Sequence, residues 1–502
     1  MRLRKLTAVI AASLIFFCSC SDNAAQVSSD SGYKQPDTYA EVNIQLPFSA
    51  ADSLNPYVAV TKVNQELSML LYDPLIKLSE EFEPVYYIAE SAEYDNSKVT
   101  VILKDICFTD GTTLTASDVQ YSFNQAVKTE NKYKAQLESI SSCTVSDSKT
   151  VVFNLVKADP YAVNMLDFPI FKSGTAETKD SNDRVIPPVG CGRYTFDKTD
   201  GYKLTANESY YGDEQNFSTV LLIDTPDDES LTHMIEVNAI DMAYSDLSDN
   251  NIPKMLGTQK AVPLTNIVFL GLNKSSNLLA KPEMRAAIST AVSRSKIAES
   301  AYFNFAAAAT GIFPSFWSQA KDLQHISSEQ NIEQAVAYLE QLGYNSKDTD
   351  GYYVDNSGNR LTFSLLYNKG NSSRKYAAEL ISQQLKKAGI EITIEEADSF
   401  DDYSDKITNG RYDIYIGEIK LGKSMDLRSI FSEEAIYGLS ETYTAEMLSA
   451  FYDGTADLST VISAFVSEMP LIPICCRQGV FVYSNIAAEN PKVSLSDIYA
   501  DL

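Results

Sequence analysis

Between Ser373 and Ile416 the apolar residues switch period repeatedly, and this switching restricts the fold more than any other feature of the chain. Ala377, Leu380, Ile381, Leu385 and Ala388 recur at helical spacing. Gly389 follows as the residue just past a helix end, where a left-handed conformation is needed. Ile390, Ile392 and Ile394 then alternate with Glu391, Thr393 and Glu395, the period of a half-buried strand. Phe400, Tyr403 and Ile407 predict a second helix that Gly410 ends, and Tyr412–Ile416 reads as a second strand. Helix feeding strand, twice over, indicates an α/β or α+β architecture.

The same grammar recurs upstream. Met284, Ala287, Ile288, Ala291 and Val292 form a helical face behind Pro282, a residue suited to a first turn because its missing N–H has no partner there anyway. Val99–Leu103 reads as a strand and Asp110-Gly111 as a turn. Thr115 with Asp118 reads as a capping box opening a helix through Val127. A body of roughly 465 residues exceeds what one hydrophobic core usually supports, so two or three lobes are expected.

The N-terminus addresses the compartment. Arg2, Arg4 and Lys5 precede an apolar run, Leu6–Phe17, too short for a permanent membrane span, so residues 1–19 read as a secretory signal. Phe17-Cys18-Ser19-Cys20 resembles a bacterial lipobox, with Cys20 as the lipidated first residue of the mature chain. Residues 20–37, rich in Ser, Asp, Ala and Gln, are expected to form a flexible tether.

Charge and residue inventory exclude several classes. A formal net charge of −26 makes nucleic acid a poor partner, because phosphate binding rests on Lys and Arg. Cys107, Cys143, Cys191, Cys475 and Cys476 show no metal-knuckle spacing, and the adjacent pair sits in an apolar run that predicts burial. His233 and His325 are the only histidines, in separate segments without a Gly-x-Ser-x-Gly elbow, which leaves a secreted hydrolase little to draw on. No metal site and no cofactor is expected, and no Gly-rich phosphate loop is present.

A series of short blocks carries a resemblance. Leu54-Asn55-Pro56, Leu71-Tyr72-Asp73-Pro74-Leu75, Ile88-Ala89-Glu90-Ser91, and Phe108-Thr109-Asp110-Gly111 through Val119 look like the opening signature of the family 5 extracellular solute-binding proteins, which include oligopeptide and dipeptide binders. Val189-Gly190-Cys191-Gly192-Arg193-Tyr194, Ile240-Asp241-Met242-Ala243-Tyr244, Phe269-Leu270-Gly271-Leu272-Asn273, Ala335 to Gly343-Tyr344, and Met469-Pro470-Leu471-Ile472-Pro473-Ile474 agree in order. The blocks are turns, caps and crossing segments, so they identify scaffold rather than ligand contacts.

The resemblance implies a two-lobed α/β fold of the periplasmic-binding-protein kind (class II) with a third, smaller inserted domain. One large lobe would comprise residues 38–60, 180–265 and 478–502, the small domain 61–179, and the second large lobe 266–477, with crossings near Phe269 and Ile474. The implied function is capture of a peptide or peptide-like solute by lobe closure, for delivery to an ABC permease and its ATPase, by a monomer held to the outer face of the cell membrane. Other solutes (an oligosaccharide, an anion, a metal chelate) and a sensing role are the alternatives.

For the ligand, the resemblance points to Asn55, Tyr244, Ser245 and Trp317 at the cleft, and to the loop Gly417–Leu427. There the peptide binders carry an aspartate that holds the ligand's ammonium, just upstream of an Asp-Pro pair. Asp426 matches the aspartate of that pair and Leu427 replaces the proline, while the anchor position falls on Gly422 or Lys423. Two outcomes stay open: Glu418 supplies the counter-charge, or Lys420 and Lys423 face an anion.

Overall fold

A computed structural model describes residues 43–128, 130–181, 185–197, 202–247, 258–433, 435, 437, 439–484 and 491–502. The expected leader, the tether and Cys20 lie outside them. Among the described residues no helix is long and apolar enough to cross a membrane.

The chain enters through strand β1 (Ile44–Phe48) and helix α1 (Lys62–Leu71). An antiparallel sheet follows: β2 (Ala89–Asp95), β3 (Lys98–Leu103), β4 (Ile140–Val145) and β5 (Thr150–Leu155), in the order β2-β3-β5-β4. Strand β3 shows the period of two at work, with Val99, Val101 and Leu103 buried and Ile102 turned to solvent. Helices α2 (Ala116–Lys128) and α3 (Lys132–Gln136) lie between β3 and β4. The turn at Asp110-Gly111 is present, with Gly111 at φ +81° and its N–H donating to the Phe108 carbonyl at 2.9 Å. At the head of α2, Asp118 accepts from both the N–H and the hydroxyl of Thr115, at 2.9 and 2.8 Å. The box is thus half reciprocal: the threonine hydroxyl donates to the carboxylate rather than accepting from the helix.

Strands β6 (Tyr194–Phe196), β7 (Lys203–Ala206) and β8 (Thr219–Asp224) complete a sheet with β1 in the order β1-β8-β7-β6. The Gly190-Cys191-Gly192 run that feeds it lies flush against the end of α1. A Cβ on Gly190 would stand 2.0 Å from the Leu71 carbonyl oxygen, and one on Gly192 2.5 Å from that of Leu70. Close backbone approach therefore accounts for both glycines.

The largest sheet holds β9 (Met242–Ser245), β10 (Thr258–Leu272), β11 (Ala306–Ala308), β12 (Thr362–Asn368), β13 (Glu391–Ala397), β14 (Ile414–Lys420) and β15 (Leu471–Tyr483). Its order is β9-β15-β10-β14-β12-β13, with β11 added on β15. The long strands β10 and β15 pair from Thr258 with Tyr483 to Gly271 with Leu471, and the ladder slips between Pro263 and Ile267. On one side of that slip β15 pairs with β9, and on the other β10 pairs with β14.

Helices α4 (Pro282–Ala291), α5 (Arg294–Ala301), α6 (Ser372–Lys387), α7 (Phe400–Thr408), α8 (Tyr443–Tyr452) and α9 (Leu458–Glu468) accompany this sheet. Pro282 occupies the first turn of α4, and Met284, Ala287, Ile288 and Ala291 are fully buried. Gly389 follows α6 at φ +85° and Gly410 follows α7 at φ +64°. One expectation fails in part: Ile390 is buried, but Ile394 is 37% exposed, because β13 is the sheet edge and has a neighbour on one side only. Another shifts: the strand expected to end at Ile416 runs on to Lys420, since β10 continues to pair with it as far as Asn266 opposite Lys420. Glu418 and Lys420 are therefore strand residues, not loop residues.

Buried apolar residues gather in clusters, two of them large. One gathers the faces of α4, α5 and α6 with Val268, Leu270, Ile414 and Ile416. The other runs from Ile44 and Leu46 through Val99 and Phe153, and continues into Trp317, Tyr415 and Phe465. Cys475 and Cys476 are both buried, and Cys107, Cys143, Cys191, Cys475 and Cys476 are all free thiols.

Candidate ligand-binding cleft

A cavity of about 650 Å³ opens beside Thr265 of the long strand β10. Its walls come from segments far apart in sequence. Helix α1 supplies Met69, α3 supplies Lys132 and Tyr133, and Asp167 adds a carboxylate. Thr265 of β10 and the stretch Lys420–Lys423 contribute as well. The local reasons are simple. Asn131 caps α3, its side chain accepting from the N–H groups of Tyr133 and Lys134 at 2.8 and 3.2 Å, and so sets Lys132 and Tyr133 in the first turn. Thr265 ties that stretch, its hydroxyl donating to the Leu421 carbonyl at 2.7 Å. The volume falls within the range of about 300–1,000 Å³ usual for small-molecule sites. A second cavity of about 650 Å³ is lined by residues from 289–331 and 462–469, including His325.

Of the residues singled out from sequence, Lys420 and Lys423 line the first cavity. Lys423 is already paired with Asp167, which also accepts from the Ser496 hydroxyl. Glu418 is not among the lining residues. It lies under two guanidinium groups, Arg374 and Arg477, each at 3.2 Å, and accepts from Asn266 at 2.8 Å. Burial alone would raise its pKa, but the two arginines outweigh burial and hold it below the usual carboxylate range. Its charge is already balanced by Arg374 and Arg477. Asp426 grips Arg428 at 2.8 Å, and Arg428 in turn donates to the Ala158 carbonyl at 2.9 Å, so this pair braces the loop against the segment preceding residue 159.

The remaining candidates are packed apart from the cavity lining. Trp317 is 1% exposed, wedged between Phe313 and Tyr161 with ring centroids 4.9 and 5.0 Å away, which makes it a core residue. Asn55 folds its own turn, accepting from the Tyr57 N–H at 3.0 Å. Ser245 accepts from the Leu247 N–H at 3.2 Å. Tyr244 stands on β9 against Gly479, and burial pushes its hydroxyl pKa well up.

Around Glu418 several buried polar atoms have no hydrogen-bond partner among the described residues: Tyr244 Oη, Tyr302 Oη and Arg374 Nε. Such atoms are rare in native interiors and mark places where water or a ligand completes the bonding. Sequence reasoning passed over Lys132, Tyr133, Asp167, Arg374 and Arg477. For Arg477 a signal existed, a charged residue within an apolar strand directly after Cys475-Cys476. The others carry no local signal.

The brace has a pH signature. Asp159, 1% exposed, has its pKa pushed up to about 6, by burial first and by Asp426 nearby, against hydrogen bonds from Tyr161 and Ser424 and the charge of Arg428. The unfolded carboxyl titrates near 4, so between about pH 4 and 6 the native state holds a proton that the unfolded state has lost. Stability from this group therefore falls as pH rises through that window. Asp159→Asn is expected to abolish the slope and gain about 2 kcal/mol near pH 7, read from urea midpoints at several pH values. An unchanged slope refutes the assignment.

Comparison with known proteins agrees with this geometry. The model of the bacterial extracellular solute-binding proteins, family 5 (Middle), matches residues 83–426. The oligopeptide-binding protein AppA of Bacillus subtilis is 25% identical over 404 residues, 73% of this chain and 73% of its own. The periplasmic murein tripeptide binding protein MppA, in its unliganded open form, superposes with a TM-score of 0.73 at 18% identity, covering 91% of this chain and 96% of its own. The structure of a nickel ABC transporter protein from Bacillus halodurans gives a TM-score of 0.73 at 17% identity, covering 91% and 98%. At these identities the solved structures speak for the shared two-lobed fold.

Proposed function

Because the chain belongs to the family 5 bacterial extracellular solute-binding proteins, we propose that it captures a small peptide or peptide-like solute between its lobes and presents the closed form to an ABC permease. The family comprises binding proteins of transport systems, and its members act outside the cytoplasm. The observation that carries the reading is the cavity beside Thr265, whose walls come from α1, α3, β10 and the end of β14. A solute touching all of them binds the closed form better than the open one, and that differential affinity is what drives closure.

In this reading residues 38–60, 180–265 and 478–502 form one large lobe, 61–179 the small domain and 266–477 the other large lobe. The slip in the ladder between Pro263 and Ile267 is the flexible point. Cys20 takes the lipid and holds the monomer at the membrane surface, in keeping with Arg2, Arg4 and Lys5 before the apolar run. Capture of a metal chelate is the second reading, favoured by the nickel-transporter likeness. Among the described residues no three His, Cys, Asp or Glu side chains gather to hold a metal, so an ion would have to arrive with its own chelator.

Thermal shift with pools of di- to hexapeptides, oligosaccharides and nickel chelates tests this directly. At least one peptide pool is expected to raise the melting temperature, and small-angle scattering of the same sample to show contraction. Stabilisation by sugars or chelates alone would overturn the peptide reading.

A further inference from the structure

The charges of the cavity stand against those of the whole molecule. A chain of formal net charge −26 places four lysines, Lys77, Lys132, Lys420 and Lys423, around one cavity with only two carboxylates, Glu138 and Asp167. Two of the four are neutralised within the protein. Lys77 is held by Asp497 at 2.7 Å and Asp73 at 3.2 Å, and Lys423 by Asp167. Lys132 and Lys420 make no ion pair or hydrogen bond with any described residue. They come from different elements, Lys132 from α3 and Lys420 from the end of β14.

Besides the face of the Tyr133 ring, 5.1 Å from its Nζ, Lys132 has only weak compensation. Glu66, the acid that acts most on Lys132, is buried, and its pKa is pushed up to about 8, so it is mostly neutral at pH 7. Lys132 and Lys420 are both exposed side chains that line the cavity, open to a solute arriving from solvent. Glu418, two residues from Lys420 on the same strand face, is committed to Arg374 and Arg477. The uncompensated set is therefore two ammonium groups and one carboxylate, Glu138.

We infer that the captured solute carries two carboxylates that meet Lys132 and Lys420. On the peptide reading above, on which this rests, it is a di- or tripeptide containing one Asp or Glu. Such a peptide has one ammonium and two carboxylates, the complement of the groups the cavity leaves unpaired. Two unpaired charges on one cavity give a solute with two carboxylates two charge-assisted hydrogen bonds, where a solute with one carboxylate makes only one.

Calorimetry with Ala-Glu-Ala, Ala-Gln-Ala and Ala-Lys-Ala tests the inference on the full chain. Ala-Glu-Ala is expected to bind about tenfold or more tighter than Ala-Gln-Ala, and Ala-Lys-Ala weakest of the three. Lys132→Gln and Lys420→Gln should each erase most of the preference while leaving urea unfolding nearly unchanged, since both side chains are exposed and neither ammonium makes an ion pair or hydrogen bond among the described residues. Equal affinity for Ala-Gln-Ala, or a preference that survives in the double variant, overturns the inference and leaves the peptide reading standing. Lysine-dependent binding of glutarate, with no response to any peptide, upholds the two-carboxylate requirement and overturns the peptide reading instead. Failure of every acidic probe to bind overturns the inference.

Discussion

Asp497→Ala is expected to lose about 3–5 kcal/mol of unfolding free energy, the largest effect of any single substitution considered for this chain. Asp497 is 3% exposed and sits between two cations. Arg193 donates to it at 2.8 and 3.1 Å, and Lys77 at 2.7 Å. Arg193 also donates to the carbonyls of Tyr499 and Ala500, at 2.8 and 3.1 Å, so the network pins the C-terminal segment to the body. Removing the carboxylate leaves Lys77 and Arg193 buried with Asp73 alone as counter-charge. An ion pair of this kind adds little over an apolar substitute, but breaking it strands a charge in low dielectric.

The pH dependence has a definite sign. Burial by itself would raise the Asp497 pKa, but Arg193 and Lys77 overcome it and hold the group below the usual carboxylate range. A depressed folded pKa gives stability that is complete above about pH 4 and is lost as pH falls through the folded value. Urea unfolding of wild type and Asp497→Ala at pH 7 and at decreasing pH should therefore converge toward the acid limit. A midpoint within experimental error of wild type at pH 7 would remove the network from the account of stability.

Glu418→Ala is expected to cost about 3 kcal/mol with no ligand present. Its carboxylate neutralises Arg374 and Arg477, whose side chains are 12% and 11% exposed. Without it Arg374 keeps Asn368 at 2.6 Å and Arg477 keeps the Leu247 carbonyl at 2.5 Å, both neutral acceptors that leave two positive charges facing each other. Acetate, which can enter the space vacated by the side chain and restore a carboxylate, should recover part of the loss. The experiment separates the counter-charge role expected from the resemblance from the arginine-holding role the ion pairs indicate. A carboxylate waiting for a ligand ammonium would be strained in the empty protein, and its removal would be neutral or stabilising. A carboxylate that holds two arginines shows the loss. A neutral Glu418→Ala would favour the anchor role and reopen recognition of a free amino terminus.

The sequence by itself determined the elements whose causes are local. Helix α6 with its stop at Gly389, helix α7 with its stop at Gly410, Pro282 at the head of α4 and the Asp110-Gly111 turn all follow from apolar period, from the φ a glycine permits and from the donor a proline lacks. Burial of Cys475 and Cys476 was legible for the same reason, since a short apolar run has few places to go. The family could be read as well, because its signature blocks are turns and close approaches, such as Gly190 and Gly192 against the end of α1.

What only the tertiary structure decided is which charges are already spent. Glu418 looked free until Arg374 and Arg477 were seen on it, and Lys423 until Asp167 was. Lys132 gave no sign of lining one cavity with Lys420, almost three hundred residues later. A backbone preference is written in a handful of neighbouring residues, whereas an ion pair or a cavity wall depends on where remote segments meet. Its energy depends on how much water is expelled when they do. The strand that ran on to Lys420 makes the same point: pairing with β10 carried it past the end its own residues indicated.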